Sequence, residues 1–362
     1  HNVAHSFPTR RSSDLIRTAY GQIVAEELGL PMAAVQVLLG DTSRAPNQGP
    51  TIASTSLQLH AQPLRLAAAQ ARAWLLAQAS LRLGLAAGQL QQQGDQWHAP
   101  DGRCLPAASL LAGSHVDLQL DLDTPTKPAA DYTVVGTSVP RVDLPAKATG
   151  AAVYVHDVRR PGMLHGRVLR PPYAGLDAGP FVGTSLLAVD EASIAHLPGV
   201  VKTVVIGDFI GIVAEREDQA EAALQALQVH WKPGTPTASS APLHDLAAAI
   251  SANPSMPRVV AQQGDVAAAL AGATQQFERQ YVWPYQLHAS IGPSCAVAEW
   301  AGSGATCTAR VWAGTQNPHV LRADLARLTG LPDTAIDVVR LEAAGCYGRN
   351  GADDVAADAL LL

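Results

Sequence analysis

Three stretches of this sequence combine residue types that could hold an anionic ligand without supplying metal ligands. Thr51-Ile52-Ala53-Ser54 follows Gln48-Gly49-Pro50 in a polar loop that runs from Gly40 to Ser56. Gln316 sits inside Thr315-Gln316-Asn317-Pro318, and the loop Gly345-Cys346-Tyr347-Gly348-Arg349 follows it. Glycine, lacking a Cβ, lets a ligand approach the backbone closely, and N–H groups exposed on such a loop attract negative charge. A neutral amide such as Gln316 donates hydrogen bonds without adding charge. Taken singly each feature is ordinary: a Gly-x-x-Gly loop is more often only a turn, and Asn-Pro is a common breaker pair. Their occurrence together gives them weight.

The cysteines point away from a metal centre held by this chain. Cys104, Cys295, Cys307 and Cys346 form no CxxC pair, so neither a zinc ribbon nor an iron-sulfur cluster has its ligands here. A net charge of -6 and a pI near 6.0 offer no basic footprint for a phosphate backbone, which excludes nucleic acid as a partner. With 362 residues, 48% of them hydrophobic, the chain can bury more than one core. No run approaches the ~18 apolar residues of a membrane span.

The elements that must position these residues repeat. Ile16, Ala19, Tyr20, Ile23, Val24 and Leu28 recur at helical spacing until Gly29-Leu30-Pro31 stops them, and Ala34–Leu39 then alternates as a strand. Near the other end Val320–Leu328 is helical, Gly330-Leu331-Pro332 ends it, and Ala335–Val339 reads as a strand in the same register. Two such units around different intervening sequence imply a duplicated fold with an insertion. A long Ala-rich helix is expected over Leu57–Leu83. Pro125 and Pro128 mark a linker, and Tyr132–Trp231 reads as a compact α/β segment. Within it Val200–Ile206 and Phe209–Val213 form a hairpin through Gly207-Asp208, Glu215–Gln225 a helix, and Val229–Trp231 a return strand. Lys232–Pro242 is a second loose stretch.

The first residues are of another kind. His5–Leu15, HSFPTRRSSDL, resembles the translation of a short-read sequencing adapter. Residues 1–15 are therefore expected not to belong to the fold, and no apolar run follows Arg10-Arg11 as an export signal would require.

The middle segment resembles the a/b hammerhead domain of aldehyde oxidases and xanthine dehydrogenases. A dense run of positions carries the likeness: Gly136, Arg141–Pro145, Lys147, Gly150, Tyr154, Asp157, Pro161–His165, Arg170-Pro171-Pro172, Leu197–Val200, Gly207-Asp208-Phe209 and Val213–Glu215. The segment with Trp312, Thr315–Pro318, Gly330–Pro332 and Gly345–Arg349 is similar to that family's first molybdopterin-binding domain. Ala25–Leu30, Gly40–Thr42, Gln48–Thr51 and Ala53-Ser54 resemble part of the second. Finding that part ahead of the hammerhead is a permuted order, similar to the large subunits of isoquinoline oxidoreductases and nicotinate dehydrogenases.

The resemblance implies an α+β fold in which molybdopterin-binding pieces (16–125 and 243–362) flank a hammerhead (131–237). It implies a bacterial molybdenum hydroxylase that oxidises an N-heteroaromatic or aldehyde carbon with water as the oxygen source, and it leaves the compartment open, cytoplasmic or at the periplasmic face of the inner membrane. The cofactor is expected to be molybdopterin, in its cytosine dinucleotide form, with molybdenum held by the pterin. Gln316 would face the metal's apical oxo group and Tyr347 would lie under the metal, with Gly345, Cys346, Gly348 and Arg349 in its loop. Thr51, Ile52, Ala53 and Ser54 would border metal and pterin. The partners implied are a small-molecule substrate and a small subunit carrying two [2Fe-2S] clusters. The family's base, a Glu in Gly-x-Gly-Glu, has no counterpart before Leu362 and is expected beyond it. Asn350-Gly351 stands where purine hydroxylases carry an acid, which disfavours xanthine. The competing reading is a catalytically inactive cofactor-binding or assembly module.

Overall fold

The computed structural model describes residues 13–113, 115–171, 185–233, 258–279, 281–283, 292–343 and 354–362, together with 245, 247, 248 and 345. The chain divides into two compact units, the first made of His1–Met163 with His288–Leu362 and the second of Leu164–Leu287.

The first unit opens with α1 (Ser13–Leu28), three residues earlier than its apolar periodicity suggests. Gly29 ends the helix at φ +67°. The residues after it, 35–39, alternate between half-buried and exposed as expected, yet they form no strand. The reason lies in the pairing, which is confined to their far end. Helix α2 (Ser56–Leu83) packs on α1, and its cap Gly84 takes a left-handed conformation. The short antiparallel strands β1 (Gln91–Gln93), β2 (Gln96–His98) and β3 (Cys104–Pro106) lie beyond it with α3 (Ala107–Leu111). Ala79, Leu90, Trp97, Ala99 and Leu110 close a small core there.

The face that α1 buries differs from the expected one. Tyr20 is buried, but Ile16, Ala19, Ile23, Val24 and Leu28 are only partly so, while Glu26 and Glu27 are each 1% exposed. Both carboxylates are enclosed because the segment expected to be a linker, together with the start of the α/β segment after it, folds onto them. Glu26 accepts from Lys127 Nζ (2.6 Å) and from the backbone N–H groups of Thr133, Val134 and Val135. Glu27 accepts from Arg65 Nε (2.6 Å) and the Lys127 N–H. Burial alone would raise the Glu26 pKa, but Lys127 and these N–H groups outweigh it and bring it down to about 2. This segment leads through α4 (Leu144–Ala148), and Thr18 Oγ1 accepts from the Val142 N–H. Tyr132–Met163 thus belongs with the first unit.

In the second unit β4 (His165–Leu169) pairs with β7 (Phe209–Ala214), which pairs with β6 (Val200–Ile206) across the expected Gly207-Asp208 turn. β5 (Leu186–Asp190) pairs instead with the return strand β8 (Gln228–Trp231) as a separate ribbon. The Asp208 carboxylate accepts from the N–H groups of Ser185 and Leu186, tying the hairpin turn to the start of β5. α5 (Glu217–Ala226) begins two residues later than expected and packs on β4 and β7. Ile194, Ile210, Ile212, Ala223 and Leu227 form the core. The exposed α6 (Val266–Ala271) follows.

The chain then returns to the first unit. β9 (Ala296–Ala301) runs antiparallel to β10 (Thr308–Ala313), and β10 runs parallel to β11 (Ile336–Arg340). The parallel pair needs a crossover, supplied by α7 (Pro318–Thr329) with proline in its first turn and Gly330 at φ +73° after its end. α8 (Asp354–Leu361) packs on β9. The core is Val311, Leu321, Leu325, Ile336, Val338 and Leu360 with three alanines.

The two helix, Gly-Leu-Pro, extended-chain units meet at β11. Asp41 bridges Val339 antiparallel, the Arg340 N–H donates to the Gly40 carbonyl (2.8 Å), and the Thr42 N–H donates to the Val338 carbonyl (3.0 Å). The buried Thr42 Oγ1 accepts from the Val338 N–H. The backbones approach so closely that a Cβ on Gly40 would lie 2.6 Å from Arg340 Cβ.

Candidate functional site

This pairing aligns the loops that follow the two units. The Thr51 N–H donates to the Gln316 carbonyl (2.9 Å), and Gln316 Nε2 donates to the Thr51 carbonyl (2.9 Å) across 265 positions of sequence. The structure therefore brings together the polar loop before α2 and the turn before α7. A backbone bond and a side-chain bond between the same two residues fix the Gln316 rotamer.

The Thr51–Ser54 loop is unusual in its backbone. Ala53 and Ser54 both have positive φ, 51° and 59°. Left-handed conformation costs a residue with a Cβ ~1–2 kcal/mol, and such strain persists where a site over-determines it. Ile52, Ala53 and Ser54 are exposed, and Thr51 is half-buried.

Behind the Thr51–Gln316 pair lies a cavity of about 100 Å³. Gly40, Gly49 and Thr51 line one side, Ser56 and His60 of α2 another, and Thr315, Gln316 and His319 the start of α7. Tyr20 reaches in from α1 and donates through its hydroxyl to the Ser56 carbonyl (3.1 Å); burial pushes its pKa up. Arg340, at the end of β11, completes the wall, its guanidinium paired with Glu342 (2.8 Å). Glu342 lies within 4.0 Å of Arg17 and Lys147 as well. No carboxylate lines the cavity among the described residues.

Of the residues singled out from sequence, Gln316 and Thr51–Ser54 are brought together. Gly345 is described, exposed, at φ +104°. Cys346, Tyr347, Gly348 and Arg349 lie outside the described residues. Sequence reasoning missed Tyr20, His60, His319 and Arg340 as cavity residues. By its spacing Tyr20 reads only as part of a core face, and His60 stands in an Ala-rich helix with no spacing signal. Pro318-His319 opening a helix is the one usable hint. Cys104 and Cys307 are free thiols, and among the described residues no three His, Cys, Asp or Glu cluster to hold a metal.

Both walls fall in segments that match one kind of domain. Residues 16–155 and 252–361 each match a model described as a molybdopterin cofactor-binding domain. Over 347 residues the chain is 57% identical to a nicotinate dehydrogenase subunit of Pseudomonas putida, covering 96% of this chain and 29% of that protein. The chain belongs to the molybdopterin cofactor-binding family. The beta subunit of isoquinoline 1-oxidoreductase from Brevundimonas diminuta, another relative, is 26% identical over 92% of this chain and 47% of its own length. The structure of quinoline 2-oxidoreductase from Pseudomonas putida 86 aligns with 20% identity and a TM-score of 0.43, over 58% of this chain and 30% of that one. The chain thus spans less than half the length of the nicotinate dehydrogenase and isoquinoline oxidoreductase subunits it matches.

Proposed function

We propose that this chain forms part of the cofactor cradle of a molybdenum hydroxylase that oxidises an N-heteroaromatic carbon, with water as the oxygen source. One observation carries the reading. Thr51 and Gln316, each in a segment matching a molybdopterin-binding domain, are bonded to each other in both directions. Glycines, hydroxyl groups and an amide set among apolar residues such as Ile16, Leu38 and Leu39, with no described carboxylate, suit an anionic, phosphorylated cofactor. The cofactor when bound would supply the two-electron redox chemistry. The chain's own part would be to hold it, with Thr51–Ser54 and Gln316 as a neutral donor, and with Gly345–Arg349 carried over from the sequence resemblance alone. The cytosine dinucleotide form of the cofactor, an a/b hammerhead over 131–237, and a partner subunit with two [2Fe-2S] clusters belong to the same proposal. Of the substrates open to the family, a pyridine carboxylate is favoured by the 57% identity to a nicotinate dehydrogenase subunit.

The test uses the longer protein co-expressed with its iron-sulfur partner. Stoichiometric molybdenum and turnover of nicotinate are expected, with isoquinoline and an aldehyde as competitors. Gln316→Ala should lower kcat about a hundredfold, the usual effect of removing one donor that faces developing charge. Absence of molybdenum, or an unchanged kcat in the variant, overturns the assignment.

A further inference from the structure

We infer that residues 115–121 present an open strand edge, and that it receives a basic, amphipathic strand from the part of the subunit that this chain does not include.

The segment reads His115-Val116-Asp117-Leu118-Gln119-Leu120-Asp121, and Leu122-Asp123 continues its pattern. Apolar and polar residues alternate at the period of a strand that lays one face on a core. Yet among the described residues no strand pairs with it. Its apolar face is largely bare, with Leu118 and Leu120 each 40% exposed and Leu122 73%.

Gln70 of α2 shows which edge is open. Its Nε2 donates to the Gln119 carbonyl (2.6 Å), and its Oε1 accepts from the Asp121 N–H (3.1 Å). The peptide group of a neighbouring parallel strand makes the same two bonds, to the carbonyl of one residue and the N–H two residues on. The side-chain amide therefore occupies one edge of the segment. Backbone groups of successive residues in a strand point to opposite edges, so those of Leu118 and Leu120 face away from Gln70. Among the described residues neither makes a backbone hydrogen bond.

Charge selects the occupant. Asp117, Asp121 and Asp123 are exposed on the polar face, and no Lys or Arg lies between His115 and Thr126. A second copy is disfavoured, because the antiparallel register that pairs all four apolar residues sets Asp117 against Asp121. Like charges directly opposite are destabilising, whereas opposite ones attract. A strand with Lys or Arg on its polar face and aliphatic residues beside Leu118 and Leu120 satisfies both faces.

Size selects the source. Seven residues fall far short of the ~20–30 a side in a stable interface between separate proteins. A strand tethered in the same polypeptide gains a high effective concentration and needs no such area. The chain covers 29% of the nicotinate dehydrogenase subunit, so most of such a polypeptide is left to provide that strand.

Amide hydrogen exchange, read residue by residue in this chain and in the longer protein, tests the pairing. In this chain the Leu118 and Leu120 N–H groups should exchange freely, and the Asp121 N–H, held by Gln70, more slowly. In the longer protein without any other subunit, exchange at Leu118 and Leu120 should slow at least a hundredfold. Asp117→Lys with Asp123→Lys should then speed it at least tenfold, while leaving the Tm of this chain unchanged. Free exchange in the longer protein, or protection that the charge reversal does not alter, overturns the inference. So does protection that requires another subunit, or that appears in this chain as its concentration rises, since the occupant would then be a separate protein or a second copy. Neither molybdenum nor turnover enters the readout, so the outcome is independent of the function proposed above.

Discussion

Glu26 shows how much one buried side chain can organise. Its carboxylate gathers Lys127 and three consecutive N–H groups, and its pKa falls from 4.5 to about 2. A carboxyl depressed in the folded state stabilises the fold above its unfolded pKa, and that stability is lost as pH falls through the folded one. At ~1.4 kcal/mol per unit, the shift corresponds to about 3 kcal/mol. Glu26→Gln should therefore cost about that much at neutral pH, and the gap to the wild type should close between pH 4.5 and about 2. Urea denaturation at several pH values measures it, and a gap independent of pH would refute the assignment. Ala53 makes the opposite case. At φ 51° it is strained, so Ala53→Gly should stabilise the chain by ~0.5–1 kcal/mol, read as a raised Tm. Neither effect is legible in sequence, where Glu26 looks like a solvated helix residue and Ala53 like any loop alanine.

Among elements, the duplicated units were legible and their meeting was not. Helix periodicity and Gly-Leu-Pro stops announce α1 and α7, whose ends at Gly29 and Gly330 are left-handed as the signal requires. The alternation over residues 35–39 was equally real, but a strand is defined by its neighbour. Only Gly40–Thr42 finds one, at β11. This contact separates two otherwise similar glycines. Gly330 (φ +73°) has nothing within 4 Å of where an added methyl group would stand, so Gly330→Ala should cost only the ~1–2 kcal/mol of left-handed strain. Gly40 (φ +74°) faces Arg340 Cβ at 2.6 Å, so Gly40→Ala should cost a further ~1–3 kcal/mol of overpacking. Paired denaturation curves decide, and equal losses would show that the two units do not press together at β11.

For the whole molecule, composition and pattern bounded the outcome well. They indicated a chain with more than one core, mixed helix and strand, and no cysteine cluster. The sequence reads residues 1–15 as foreign to the fold, but α1 takes in Ser13–Leu15, so deleting residues 1–12 should leave Tm unchanged; a drop of several degrees would mean ~1 kcal/mol of lost stability and would return the stretch to the protein. What the sequence determined by itself was local or inherited. Side-chain period decides helix against strand, glycine and proline decide where each stops, and motif order placed the chain beside the molybdopterin-binding family. Only the tertiary structure decided which half-patterned surfaces face each other. It buried Glu26 and Glu27 beneath the supposed linker, bound Gln316 to Thr51 across 265 positions, and turned the starts of α2 and α7 toward one cavity with His60 and His319. The physical reason is that burial, pKa and ligand affinity depend on neighbours in space, and the pairing of distant segments leaves no periodic trace in either one.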